Sequence, residues 1–183
     1  MNSLSSTARL AGLLYLIVVL TGIFSLAYVP GRLFDWDNPE ATIQNITSNE
    51  GLYRASLAVK ALCYVAFTLL VFVLFRLLQM VDAWYAGLMV ALALISVPLS
   101  FEILQDQYAL LALAENSGGL TPAELHKAVA LCLTQYDHGM LVVTVFWGLW
   151  LLPFGYLVYK SGFLPKLLGV LLMLGCMGYL VNF

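Results

Sequence analysis

The sequence has few charged residues and lacks any cluster of positive charge. Only 10% of its 183 residues are Asp, Glu, Lys or Arg, and the formal net charge at pH 7 is −2. Nucleic-acid binding and polybasic attachment to lipid surfaces both depend on clustered Lys and Arg. The composition therefore argues against both, and we expect no nucleic-acid partner.

Cysteine and histidine are also scarce, with three and two residues respectively. Cys63, Cys132 and Cys176 are far apart and lack the CxxC or Cys/His spacing of a metal site or disulfide framework. Their apolar surroundings indicate small buried hydrophobic side chains. These residues do not identify a cofactor.

Hydrophobic residues, in contrast, make up 62% of the chain, and the mean hydropathy is +0.93. A protein this apolar cannot cover a soluble surface, so we predict an all-α, polytopic transmembrane helical bundle in a single domain, residues 1–183. Five apolar segments are the predicted spans: Leu10–Tyr28, Leu52–Leu78, Trp84–Leu113, Met140–Tyr159 and Lys166–Val181.

The first apolar segment has a second interpretation as a removable signal peptide, because Ser25-Leu26-Ala27 weakly resembles a cleavage site. This apolar run of 19 residues exceeds the usual signal core of about 7 to 15 residues. We therefore expect a retained anchor.

Capping signals predict short surface helices and helix ends. Asn38 before Pro39 predicts a helix start, and Thr121 with Glu124 forms a capping-box pattern around Pro122. A helix from Pro122 to Tyr159 would be about 57 Å long, so we expect its first part to lie at the surface, with a break at Gly139. Kinks are expected at Pro98 and Pro153, a helix end at Gly162 and a helix start at Pro165.

Loop charges predict the orientation. With the N-terminus inside, the inner ends carry four of the basic residues, and the outer loops collect most of the acids. The inner basic residues are Arg9, Arg76, Lys160 and Lys166, and the outer acids are Asp35, Asp37, Glu40, Glu50, Glu115 and Glu124. The expected topology is multi-pass with a cytoplasmic N-terminus.

Ionisable residues inside or beside the apolar segments mark the candidate site, because such groups usually face a bundle interior or a wet cavity. At 1.5 Å per residue, Lys60 and Glu102 fall at about 24 and 27 Å, and Arg54, Asp106 and His138 at about 33 Å from the inner surface. This common depth predicts Lys60–Glu102 and Arg54–Asp106 pairs in an outer-leaflet pocket. The predicted ligand-binding residues are Arg54, Lys60, Glu102, Gln105, Asp106, Asp137 and His138.

Three interpretations of this cluster remain open. The residues could form ion pairs that hold the helices together, or line a binding pocket, or catalyse a reaction. The carboxylates with His138 and His126 could bind a divalent metal, but no HExxH or similar spacing supports this, and no GxSxG motif indicates a hydrolase. We predict no metal site.

Two stretches of the sequence resemble the DUF4386 family of bacterial membrane proteins. They are the N-terminal ARLAGLLYL with the following Gly22-Ile23-Phe24, and FWGLWLLPFGYLVYKSGFLPK, which runs from Phe146 to Lys166. Family members commonly have His, an aromatic residue and Gly before the second stretch, whereas here Gly139 directly follows His138. The resemblance covers the whole chain and implies a bacterial inner-membrane protein of five or more helices, but no specific activity.

Two functions remain compatible with the sequence. The favoured one is non-catalytic binding of a membrane lipid, a quinone or another amphiphilic small molecule. The alternative is an intramembrane lipid-modifying or metal-dependent enzyme that uses Glu102, Asp106 and His138. An oligomeric state is not predicted.

Overall fold

The computed structural model describes residues 2–115 and 119–181, with side chains from residue 5 onward. These residues are almost entirely helical, and no strand occurs among them. The helices are α1 (Asn2–Gly22), a π-helical segment (Ile23–Tyr28), α2 (Val29–Leu33), α3 (Pro39–Ser48), α4 (Glu50–Leu78), α5 (Ala83–Glu115), α6 (Pro122–Leu149), α7 (Leu151–Ser161) and α8 (Lys166–Val181). The predicted all-α class is confirmed.

Four of these helical stretches are long and apolar enough to cross a membrane. They are Ser5–Leu33, Glu50–Leu78, Ala83–Glu115 and Pro122–Ser161. The fifth predicted segment is α8, an apolar helix of 16 residues. Its length is about 24 Å, somewhat less than the hydrocarbon thickness of about 30 Å. The architecture is that of a helical membrane protein.

The predicted helix ends are confirmed. The Asn38 side chain accepts a hydrogen bond from Ala41 N at 3.2 Å at the start of α3. Thr121 and Glu124 form the reciprocal capping box, with Thr121 N to Glu124 Oε2 at 2.9 Å and Glu124 N to Thr121 Oγ1 at 3.3 Å. Gly162 ends α7 with φ of +73°, a left-handed conformation that favours glycine.

The expected break at Gly139 is wrong, because α6 continues through this residue to Leu149. Gly139 instead permits close packing, since an added Cβ would lie 2.7 Å from Ile103 Cγ1. The actual interruption falls at Trp150. Pro153 has no N–H to donate to the Leu149 carbonyl four residues earlier, which explains the position. Helix α5 runs through Pro98 without interruption.

The described chain divides into two compact units. The first unit contains residues up to 17, 65–99 and 141 onward. Within it, α7 and α8 pack at glycines, and an added Cβ at Gly155 would lie 2.7 Å from the Gly169 carbonyl oxygen. The ring centroids of Phe67 and Trp150 are 5.3 Å apart, edge to face.

The second unit contains residues 18–64 and 100–140. Helix α3 packs into this unit with one side of its surface, burying Pro39, Thr42, Ile43 and Ile46. All seven predicted site residues belong to the second unit.

Candidate functional site

One fully buried lysine belongs to the second unit and defines the buried centre of the candidate site. Lys60 has no exposed surface, although it sits in the apolar helix α4. It belongs to a buried face with the 3- and 4-residue spacing of a helix side: Tyr53, Ser56, Leu57, Lys60, Cys63 and Tyr64. A cationic side chain in this position requires hydrogen-bond acceptors or negative charge to offset its lost hydration.

Gln107 provides the hydrogen-bond acceptor for Lys60. The Lys60 amine donates to Gln107 Oε1, and Gln107 is 1% exposed. Gln107 belongs to the buried face of α5, together with Ile103, Leu104, Leu110 and Leu111. The backbone carbonyl of Gln107 also accepts a hydrogen bond from the Tyr53 hydroxyl at 3.0 Å, which holds α4 and α5 together at this level.

The amide nitrogen of Gln107 has no hydrogen-bond partner among the described residues, although it is buried. The orientation of the Gln107 amide follows from hydrogen-bond chemistry. A lysine amine only donates, so the amide oxygen and not the nitrogen must face it. Buried polar atoms without a partner are rare in folded proteins. The Gln107 Nε2 atom is thus a second buried donor beside Lys60.

An aromatic cluster covers the lysine. The amine of Lys60 lies 5.3 Å from the ring centroid of Tyr136, and the Trp36 ring stacks on Tyr136 at 6.2 Å. Phe34 contacts the Tyr136 ring edge to face at 5.5 Å and the Tyr53 ring at 6.2 Å. We call Phe34, Trp36, Tyr53 and Tyr136 the aromatic cluster. Trp36 is its exposed member, at 53%.

Thr42 holds the segment that supplies two of these rings. Its hydroxyl accepts from Asp35 N at 2.8 Å and donates to Asp35 O at 3.0 Å. The Asp35 carboxylate accepts a further hydrogen bond from Asn38 N at 3.0 Å. Phe34 and Trp36, which flank Asp35, are therefore positioned by helix α3.

The expected Lys60–Glu102 pair is wrong. Glu102 lies on the exposed side of α5, and its place beside Lys60 is taken by Gln107. The two positions are five residues apart in the sequence, which is a rotation of about 140° around the helix axis. Depth along a helix does not determine which side chains face the interior.

The expected Arg54–Asp106 pair is also wrong. Arg54 is an exposed residue that bonds Glu50 at 2.6 Å and also Glu115. Asp106 is half-buried one turn beyond Glu102 on α5, and the neighbouring Gln105 is exposed. The ion pair that joins α4 to α5 is therefore at the helix ends and involves Glu115.

Asp137 and His138 are exposed on α6, adjacent to the buried Tyr136. Within the described chain, His138 forms no hydrogen bond or ion pair with Glu102, Gln105 or Asp106. The structure thus brings together Lys60, Gln107 and Tyr136, and leaves the other predicted site residues outside this centre. Gln107 and Tyr136 were not predicted as site residues. The signal that could have found them is their position on the helix, since both share the spacing of the buried apolar residues around them.

A separate open pocket of about 310 Å³ lies between α3 and the start of α6. Its lining residues are Glu40, Ile43, Gln44, Leu120, Pro122 and Leu125. Next to it, His126 Nδ1 is 3.8 Å from Glu40 Oε1. In the two described ranges, no group of three or more His, Cys, Asp or Glu residues could hold a metal ion.

Comparison with known proteins identifies one family. The model of a domain of unknown function, DUF4386, matches residues 10–183. No curated protein and no solved structure matches the chain.

Proposed function

The chain belongs to the DUF4386 family, and we propose that it is a multi-pass protein of the bacterial inner membrane that binds a lipid or another amphiphile. In this proposal it catalyses no reaction on the bound molecule. Its N-terminus is cytoplasmic, and the binding site lies in the second unit, in the outer leaflet.

The complete burial of Lys60 carries this proposal. Among the described residues, no carboxylate lies within ion-pair distance of its amine, which has Gln107 Oε1 as its hydrogen-bond acceptor. Charged groups inside membrane helices are energetically unfavourable and usually mark binding or transport sites. A bound polar head group would supply what this amine lacks.

The aromatic cluster supports an amphiphilic ligand. Ligand sites typically combine mostly apolar and aromatic walls with a few polar groups that fix the orientation. Tyr136 and Phe34 supply apolar surface beside the Lys60 amine, and Trp36 extends that surface to the exterior. A molecule with a polar head and an apolar tail matches this combination.

The enzymatic alternative receives less support from the geometry. General acid–base catalysis needs side chains within hydrogen-bond reach of one another or of a common substrate. Glu102 and His138 are both exposed, and neither bonds the other. The buried centre also contains Lys60 and Gln107 without an acidic residue.

Native mass spectrometry of the purified protein tests the proposal. The wild-type protein, released from its detergent micelle in the gas phase, should retain a bound lipid or other amphiphile. Lys60→Met should lose most of this signal, because it removes the amine and keeps a long apolar side chain. The matched control is Lys127→Met, which changes an exposed lysine in the same unit and should retain the wild-type signal.

Two outcomes would reject the proposal. One is folded wild-type protein that carries no amphiphile after extraction in several mild detergents. The other is equal retention by the wild type and Lys60→Met.

A further inference from the structure

We propose that the group bound beside Lys60 is an oxyanion, a phosphate or a carboxylate, held jointly by Lys60 Nζ and Gln107 Nε2. This inference rests on the proposed function and names the chemical class of the ligand head group.

The balance of donors and acceptors at the buried centre carries the inference. An ammonium group has three N–H donors and an amide NH₂ has two. The amide oxygen of Gln107 accepts from Lys60, whereas its nitrogen has no acceptor among the described residues. The centre therefore has an excess of buried donors, which a ligand rich in acceptor oxygens would satisfy.

The charge of Lys60 further restricts the chemical class of the ligand head group. The Tyr136 ring face offers the amine a cation–π contact at 5.3 Å, but this contact does not neutralise it. The nearby carboxylates of Glu102 and Asp137 are on exposed helix faces. A neutral acceptor, such as a carbonyl group or water, would satisfy hydrogen bonds but leave the charge without compensation. An oxyanion supplies both the hydrogen-bond acceptors and the compensating negative charge.

The position of the two donors sets the mode of binding. They come from neighbouring helices, α4 and α5, whose buried faces meet where the Tyr53 hydroxyl bonds the Gln107 carbonyl. An oxyanion with two or three oxygens can accept from both nitrogens at once. Tyr136 and Trp36 lie on the amine side of this centre, so a ligand that enters there should perturb the exposed Trp36 ring.

The test compares two lipids that differ only in the phosphate group, together with free phosphate. Dioctanoyl phosphatidic acid and dioctanoylglycerol have the same acyl chains, and sodium phosphate supplies the oxyanion without chains. Each is titrated into the full-length protein in a neutral detergent, with the Tm and the tryptophan emission as readouts. Phosphatidic acid should bind at least about tenfold more tightly than dioctanoylglycerol, because buried charge compensation is worth at least that factor.

Gln107→Glu provides the decisive variant. It gives Lys60 an internal carboxylate and removes the free amide donor, so the protein should fold and phosphatidic acid affinity should fall at least about tenfold. The matched control is Gln105→Glu, the same change on the exposed side of α5, which should respond as the wild type. Should Gln107→Glu not fold, Lys60→Met must show the same loss of phosphatidic acid binding.

The outcomes separate this inference from the proposed function. Equal binding of dioctanoylglycerol and phosphatidic acid, or undiminished phosphatidic acid binding by Gln107→Glu, overturns the oxyanion assignment and leaves amphiphile binding intact. Binding of neither lipid also overturns the oxyanion assignment, and the proposed function is then decided by the native mass spectrometry described above. If sodium phosphate binds as tightly as phosphatidic acid, the oxyanion site is supported but its ligand is a soluble ion. That result overturns the proposal that the bound molecule is an amphiphile.

Discussion

Lys60 and Gln107, 47 positions apart in the chain, form a buried hydrogen bond between α4 and α5. Both side chains are at most 1% exposed, and Gln107 also accepts a bond from Tyr53 through its backbone. A neutral amide as the partner of a buried lysine differs from the usual arrangement, in which a carboxylate balances the charge. In the proposed oxyanion site, a negatively charged group from outside the chain balances the charge of this amine.

The two residues should be energetically coupled. Gln107→Leu removes the acceptor of a buried amine and should lower the free energy of unfolding by about 1 to 3 kcal/mol. Lys60→Met with Gln107→Leu should cost less than the sum of the single changes, since both polar groups are then gone. The measurement is a double-mutant cycle on thermal unfolding in detergent. Lys60→Met with Glu102→Gln is the control, and its effects should add within about 0.5 kcal/mol. Coupling to Glu102 in place of Gln107 would contradict the structure.

Gly139 should not tolerate a larger side chain. Its added Cβ would lie 2.7 Å from Ile103 Cγ1, so Gly139→Ala forces α5 and α6 apart and should destabilise the protein by about 1 to 3 kcal/mol. Ile103→Ala removes the clashing atoms but also leaves a cavity, so the loss in the double variant should be smaller than the sum of the two single losses. Gly51→Ala is the matched control, because nothing lies within 4 Å of that position. Losses in stability that simply add in the double variant would disprove this packing.

The contact between α7 and α8 should be still less tolerant. A Cβ at Gly169 would lie 2.6 Å from the Gly155 carbonyl oxygen, and backbone cannot rotate away as a side chain can. Gly169→Ala should therefore lower the Tm more than Gly139→Ala. Gly178→Ala, in the same helix with nothing within 4 Å, should leave the Tm near the wild-type value. Equal effects of the two α8 substitutions would argue against the close packing.

Because of the Asp82–Lys160 pair, the stability of the protein should vary with pH in the acidic range. A hydrogen bond from Tyr85 N at 3.3 Å and the Lys160 amine at 3.3 Å together hold the pKa of the Asp82 carboxyl below its usual range. A lowered folded-state pKa stabilises the protein above the unfolded-state value, and this contribution is lost as pH falls through the folded-state value. Between about pH 5 and pH 3, the Tm of Asp82→Asn should thus fall less than that of the wild type. Lys160→Met keeps the Tyr85 bond, so its Tm should fall over this pH range by an amount between those of Asp82→Asn and the wild type. If the Tm of Asp82→Asn falls as much as that of the wild type, the effect is disproved.

The proposed orientation is open to cysteine labelling in whole cells. In a variant without native cysteines, Gly119→Cys should react with a membrane-impermeant maleimide added outside, because acidic loops favour the outer side. Ser161→Cys, beside Lys160 and Lys166, should react only after the cells are opened. The opposite pattern would reverse the proposed topology.

Sequence patterns predicted the helices well where the signal is local. The Thr121–Glu124 capping box and the Gly162 helix end depend on residues a few positions apart, and both are present. The sequence predicts a kink at Pro153, and the missing N–H of this residue explains the interruption at Trp150. Local chemistry is enough to locate such features.

The partners of the buried lysine could not be obtained in the same way. Depth along the helices placed Lys60 near Glu102, but the rotation of each helix decides which side chain faces the interior. The apolar residues Ile103, Leu104, Leu110 and Leu111 define the inward face of α5, and Gln107 lies within it. Gly139 shows the same limit, because a glycine that permits close approach looks in sequence like one that ends a helix.

The Lys60–Gln107 bond also bears on how the protein enters its membrane. Helix α4 is synthesised before α5, and alone in hydrocarbon it would expose a lysine, at a cost of about 2.5 to 3.5 kcal/mol on insertion scales. Gln107 follows in the next helix and provides the first acceptor for that amine. We therefore expect the insertion machinery to release α4 and α5 together as a hairpin, with α4 retained until its partner has been made.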